Sequence, residues 1–361
     1  MPIWIADPAA LQAHFATAPA RIGLDTEFIR ERTYWPQLAL VQIAVGDAIL
    51  LVDPLVPGMC EALAPILADE RILKVMHSPS EDLVTFKRAC GVLPAPLFDT
   101  QLAAAMAGIG GGLGYQKLVE QLTGVQLAKG ETRSDWMRRP LSPAQLEYAA
   151  DDVRHLFAMH DALDARLGEL ERRAWLAEDA ARTLANAADE APERWPHLSL
   201  RTAQFLDHDS QVRLVRLLRW RDAYARDSDR PRTWILDNEL AVALARTPPT
   251  DRDALQRKVD AHPKGPRKLV DTIWRALTTP LPDEAELPDA GVAETRDKQR
   301  LRALQDAVAQ RSGELGLPDG VLASRRWLEA MLDREGWPDA LEGWRRRVLE
   351  PVLGPLLKPA G

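Results

Sequence analysis

The sequence predicts an α/β domain with a mixed sheet, followed by two small all-α domains. Three observations carry this reading. Apolar, β-branched segments alternate with helical patterns up to about residue 100, and almost everything after that has helical periodicity. Two Pro- and acid-rich stretches, ADEAPERWPHLS (188–199) and LPDEAELPDAG (281–291), interrupt the helical part. The expected domains are therefore 1–190, 200–281 and 292–361. A chain of 361 residues also exceeds what one hydrophobic core organises.

In chain order, RIGLDTEF (21–28), LALVQIAV (38–45), AILLVDP (48–54) and RILKVMH (71–77) read as strands bounded by turn residues. EALAPILADE (61–70) and PSEDLVTFKRAC (79–90) read as helices. Ser78 reads as the N-cap of the second of these, with Pro79 at the first helical position and Glu81 closing a capping box. The same logic recurs at Ser142, Pro143 and Gln145, so another helix is expected to start at about 143. GIGGGLGY (108–115) lacks the GxGxxG spacing and a following GK[ST], so it reads as a flexible loop between helices rather than a nucleotide site. Trp220, Trp234 and Trp327 occupy helical apolar positions and read as core.

Composition, with 46% apolar and 27% charged residues, is that of a folded globular chain. No basic segment leads into an apolar stretch at the start, and no run of 18 apolar residues occurs, so neither export nor membrane spanning is expected. Cys60 and Cys90 stand without CxxC spacing, which fits a reducing cytoplasm, argues against structural zinc and makes both expected core thiols. The net charge of −7 is uneven: −9 over residues 1–200, +5 over 201–280 and −3 over 281–361. The basic middle segment is either a footprint for phosphate backbones or a solvated Arg-rich helical face.

Within the first strand, Asp25 and Glu27 project from one face while Leu24, Thr26 and Phe28 project from the other. Neighbouring buried carboxylates repel and are costly unless a cation lies between them; a solvated strand end is the alternative. Asp82 falls in the first helical turn after a strand ending near His77, at the edge where α/β sites form, although an acid there also suits the helix dipole. On the helix from 143, Tyr148 and Asp152 share a face at i, i+4, with Asp151 turned about 100° away from Asp152. Four carboxylates and a phenol fit hard divalent cations, two of which can clamp the attacking and leaving oxygens of a phosphoryl displacement.

DTEF (25–28), the HxxxxD element from His77 to Asp82 and YxxxD (148–152) resemble the three motifs of the DEDD exonucleases in their Tyr-containing subgroup. RTYWPQLALVQIA, LVDPL, SEDL, LFDTQLAAA, SDWMRRPLS and EYAADDV resemble the ribonuclease D family across most of the first domain. QVRLVRLLRWRDAYARDSDRPRTWILDN (211–238) resembles an HRDC domain, and LASRRWLEAML with GWRRRVL resembles a second, more divergent HRDC-like domain.

The resemblance implies a ribonuclease H-like fold and a 3′-to-5′ exoribonuclease that releases 5′-mononucleotides with two divalent metal ions, Mg²⁺ or Mn²⁺. Asp25, Glu27, Asp82 and Asp152 match the metal-binding acids. Tyr148 matches the residue that orients or deprotonates the attacking water. Thr26, Phe28 and His77 are expected at the substrate, Phe28 against the terminal base; a core Phe and a hydrogen-bonded structural His are the competing roles. The implied partner is RNA, including precursor tRNA 3′ ends, in the cytoplasm, with no membrane or protein partner. Removing residues 201–361 is then expected to weaken RNA binding and flatten its salt dependence. The motif acids also suit a 3′-to-5′ exodeoxyribonuclease. A non-catalytic RNA-binding protein would be marked by loss of an acid, and all five positions are present.

Overall fold

Strands β1 (Ile3–Ile5), β2 (Arg21–Ile29), β3 (Gln37–Val45), β4 (Ala48–Val52), β5 (Leu73–Met76) and β6 (Leu97–Asp99) form one sheet in the order β1-β4-β3-β2-β5-β6. This computed structural model describes residues 1–127, 134–290, 298–333 and 336–357. The pairs β2–β3 and β3–β4 are antiparallel, whereas β1–β4, β2–β5 and β5–β6 are parallel, so the sheet is mixed as predicted. Residues 38–44 of β3 are all buried, the pattern of a central strand covered on both faces. β1 and β6, which the periodicity did not mark, have three residues each, too few to show alternation.

Helices α1 (Pro8–His14), α2 (Met59–Ala68), α3 (Ser80–Cys90), α4 (Thr100–Met106), α5 (Tyr115–Thr123), α6 (Pro143–Arg154), α7 (Leu156–Glu169) and α8 (Arg173–Ala188) accompany the sheet. Leu63, Leu67, Leu83 and Phe86 from α2 and α3 close one core; Leu118, Met159 and Leu163 from α5 and α7 close another. Cys60 and Cys90 are half-buried free thiols packed against the first core. Gly23 is required where it stands: a Cβ there would lie 3.0 Å from Leu156 Cδ1 and 3.1 Å from Ala44 Cβ. Its absence lets the start of α7 approach β2.

The predicted caps divide. Ser142 and Gln145 form the capping box of α6, with Ser142 N–H donating to Gln145 Oε1 at 2.9 Å and Gln145 N–H to Ser142 Oγ at 3.2 Å. Ser78 does not cap α3. Its N–H donates to Asp99 Oδ1 at 3.0 Å, its φ is +54°, and the helix starts at Ser80 with Pro79 as a cap that makes no side-chain bond. The glycine-rich loop between α4 and α5 is packed rather than free: a Cβ on Gly108 would meet the Gly316 carbonyl oxygen at 2.5 Å.

The chain forms two compact units, and residues 30–35 with 190–290 make up the second. Its helices are α9 (His208–Asp227), α10 (Arg232–Ile235), α11 (Asn238–Arg246), α12 (Arg252–Ala261) and α13 (Val270–Thr278), around Leu214, Leu217, Leu244, Leu255 and Ile273. Trp220 packs against this core. Trp234, expected inside, is 58% exposed. α10 is a single turn, so only Ile235 of its apolar pair turns inward. Several arginines of the basic segment are committed to internal pairs, Arg216 with Glu284, Arg219 with Asp283 and Arg226 with Asp222.

The C-terminal helices α14 (Lys298–Leu315), α15 (Arg325–Asp333) and α16 (Trp344–Leu357) belong to the first unit. The boundary expected at 292 lies outside the described residues. Trp327 packs against the core of these helices. Trp344 is fully buried, stacks on Trp175 of α8 at 4.3 Å and 8°, and donates from Nε1 to Asp179 at 3.0 Å. Arg345 donates to the same carboxylate at 2.7 Å.

Candidate active site

Three elements converge on the carboxylates. β2 presents Asp25 and Glu27, the first turn of α3 presents Asp82, and α6, lying on β2, β3 and β4, presents Tyr148 and Asp152. The β2–β3 ladder shifts register between Glu27 and Phe28, where Ala39 of β3 is the extra residue, and such a bulge re-aims the side chains beside it. Thr26, on the opposite face from the two acids, donates its hydroxyl to Asp82 Oδ1. That bond ties strand to helix.

The charges acting on Asp25 and Glu27 are other carboxylates. Burial, followed by the charges of Asp82, Asp152 and Glu27, holds Asp25 well above the usual carboxylate range. Burial and the charges of Asp152 and Asp82 push Glu27 up to about 8. Burial raises Asp82, only 8% exposed, to about 6. Asp152 rises to about 7 through burial and the charge of Asp151, partly offset by a hydrogen bond from Tyr148. Burial and the charge of Asp152 push the Tyr148 hydroxyl upward. Asp151 points elsewhere, pairing with Arg154 at 2.8 Å, as the helical geometry predicted.

Gln42 is completely buried and in register with Asp25 on the neighbouring strand, and neither its amide oxygen nor its amide nitrogen has a partner. An oxygen-only set of mutually repelling acids, one buried and three half-buried, beside an unsatisfied amide fits hard divalent cations. Asp237, Glu239 and His262 of the second unit also bring one ligand atom each within 4.8 Å. There, however, Asp237 spends an oxygen on the Glu239 amide at 2.8 Å as a helix cap, and Glu239 is exposed, so solvent can carry its charge.

The remaining expected contacts separate. Phe28 is partly buried beside the register shift. His77 places Nδ1 2.9 Å from Thr100 Oγ1 and its ring edge-on to Tyr115 at 5.7 Å, and burial lowers its pKa to about 4. Three contributors escaped the sequence reading: Thr26 as a partner of Asp82, Gln42, and Trp136, whose ring lies 6.0 Å from Tyr148. Gln42 alone left a visible signal, a lone amide inside an apolar run.

Comparison with known proteins identifies the family. Residues 2–168 match the family described as 3′-5′ exonuclease, and residues 210–277 match the HRDC domain. The chain is 65% identical to ribonuclease D of Xanthomonas oryzae pv. oryzae over 99% of both chains. It is 39% identical to ribonuclease D of Pseudomonas paraeruginosa, covering 97% of this chain and 96% of the relative. Among solved structures, Escherichia coli RNase D superposes with a TM-score of 0.82 at 27% identity, covering 99% of this chain and 98% of that one. The DEDD exonucleases are metal-dependent enzymes. Sheet, acid cluster and relatives together place the chain in the ribonuclease D family, as a 3′-5′ exoribonuclease.

Proposed function

We propose that this cytoplasmic enzyme removes 5′-mononucleotides one at a time from RNA 3′ ends, those of precursor tRNAs included. Asp25, Glu27, Asp82 and Asp152 hold two divalent cations, Mg²⁺ or Mn²⁺. The observation that carries the reading is the gathering of four acids, Asp82 buried and the other three half-buried, whose pKa values are all raised. When bound, the cations neutralise this charge and stabilise the attacking and leaving oxygens.

The protein's part is placement. Asp25 and Glu27 approach from the sheet, and Asp82 and Asp152 from two helices, so that cations held among them would supply the positive charge that binds the scissile phosphate. Tyr148 keeps its proton near neutrality, so its hydroxyl orients the attacking water rather than accepting a proton from it. Phe28 stacks on the terminal base, while Thr26 and His77 act from behind the site. The module from 1 to 190 cuts, and the HRDC module at 200–281 and the HRDC-like module at 292–361 hold the body of the RNA. The relative from E. coli, described as an exoribonuclease involved in structured RNA processing, supports RNA as the polymer.

The test is a precursor tRNA with a 3′ extension beside DNA of matched sequence, each labelled at its 5′ end and incubated with Mg²⁺. Stepwise shortening of the RNA with release of 5′-mononucleotides is expected. Faster digestion of the DNA, or internal cleavage, would overturn the assignment.

A further inference from the structure

The connection between β2 and β3, residues 30–35, folds with the second unit, although β2 ends at Ile29 and β3 begins at Gln37. Tyr34 is 5% exposed there. Its hydroxyl donates to Asp222 Oδ1 at 3.0 Å and accepts from Arg232 Nη2 at 2.7 Å. The guanidiniums of Arg226 and Arg232 lie 5.4 and 4.9 Å from the centre of the Tyr34 ring, and both pair with Asp222. The backbone N–H groups of Tyr34 and Trp35 both donate to Asp229 Oδ1 at 3.0 Å. Asp229 itself sits at φ +47°, a left-handed conformation that a non-glycine residue adopts at some cost.

This grip is specific. Phenol, carboxylate and two cations satisfy one another, and a second carboxylate takes two amides that a hairpin tip would otherwise present to water. Arg30, where the gripped segment starts, is three residues beyond Glu27, a reach of about 10 Å of extended chain. Between them the pairing of β2 with β3 shifts register, opposite the extra residue Ala39 of β3. We propose that Tyr34 and Asp229 form a positioning clamp on the β2–β3 connection, which acts through the short covalent link from Arg30 back to Glu27 and sets the aim of Glu27.

The clamp rests on the reading of Asp25 and Glu27 as catalytic ligands, and it gives the second unit a role besides holding RNA. If that unit only binds RNA or anchors the chain, loosening the segment alters affinity for long RNA and leaves turnover of a small substrate unchanged. If the clamp sets Glu27, turnover of a small substrate falls with its KM unchanged.

The experiment uses the full chain with Mn²⁺ and two substrates, a p-nitrophenyl ester of uridine 5′-phosphate and a long single-stranded RNA. Asp229→Gly removes the acceptor while tolerating the positive φ, and Asp229→Asn retains an acceptor oxygen and also tolerates it. Asp229→Gly is expected to lower kcat on the ester about tenfold, with KM within about twofold, because small misplacements at a reacting centre are costly. Asp229→Asn should restore wild-type kcat. Wild-type kcat in Asp229→Gly, whatever happens to RNA affinity, overturns the clamp. Should Asp229→Gly not fold, Tyr34→Phe decides: it keeps the ring, loses the bond to Asp222, and is expected to lower ester kcat severalfold, an unchanged kcat being the contrary result. Asp25→Asn in parallel separates the two readings, since activity surviving there refutes the site assignment and not the clamp alone.

Discussion

Thr26 donates its hydroxyl to Asp82 Oδ1, joining the strand that carries two of the acids to the helix that carries the third. A hydrogen bond to a charged group contributes about 1.5–3 kcal/mol. Thr26→Val preserves the shape and removes the donor. Calorimetric titration with Mn²⁺ should show affinity about tenfold weaker, with KM for RNA little changed. Unaltered Mn²⁺ binding would mean that the bond merely satisfies a buried hydroxyl.

Tyr148 lies against Trp136 at 6.0 Å and hydrogen-bonds Asp152. Tyr148→Phe keeps that packing and deletes the hydroxyl. Turnover should fall about 100-fold, the lower end of what a positioned proton-handling group contributes, while RNA binding persists. Near-normal turnover rules out a role for the hydroxyl in orienting water.

The acids of this site were readable because each obeys a local rule. Asp25 and Glu27 break the apolar pattern with period two, and Tyr148 and Asp152 share a helical face on a helix announced by Ser142-Pro143 and Gln145. Ser78 misled because its conformation is set by Asp99, 21 residues away, through a bond no local pattern encodes. Trp234 misled because one helical turn cannot establish a buried face. The partnership of Trp175 with Trp344, and of Tyr34 with Asp222, joins segments more than 150 residues apart and left no periodic trace.

Raised carboxyl pKa values make stability depend on pH. Glu27, Asp152 and Asp82 titrate at about 8, 7 and 6 in the folded protein, against about 4 when unfolded. Between those values the folded state binds more protons, so stability falls as pH rises through the window. In chelator, the melting temperature at pH 8 should lie below that at pH 5.5 by roughly 5 °C. Mn²⁺ should restore it, most at pH 8. Asp69 and Asp161, held at about 2 by Arg71 and Arg21, titrate below this window and do not contribute. A melting temperature that rises with pH in chelator contradicts the description of the acid cluster.

The C-terminal helices change what a truncation can show. Because Trp344 and Arg345 are buried against Trp175 and Asp179, removal of residues 201–361 strips the catalytic unit of part of its own core as well as of the RNA contacts proposed for that segment. Trp344→Ala should cost about 3–5 kcal/mol, read by calorimetry as a large drop in unfolding temperature, with near-normal turnover on a small substrate at low temperature. Wild-type stability in this variant would show that the C-terminal helices are dispensable to the catalytic unit.

The central claim, that four acids from one strand and two helices hold cations which hydrolyse RNA from its 3′ end, is tested most directly by Asp25→Asn. This variant and the wild-type protein would be incubated with 3′-end-labelled RNA in Mg²⁺, Mn²⁺ or chelator. Metal-dependent release of labelled mononucleotide is expected from the wild type and none from the variant. Release that survives chelation, or undiminished release by Asp25→Asn, would contradict the account.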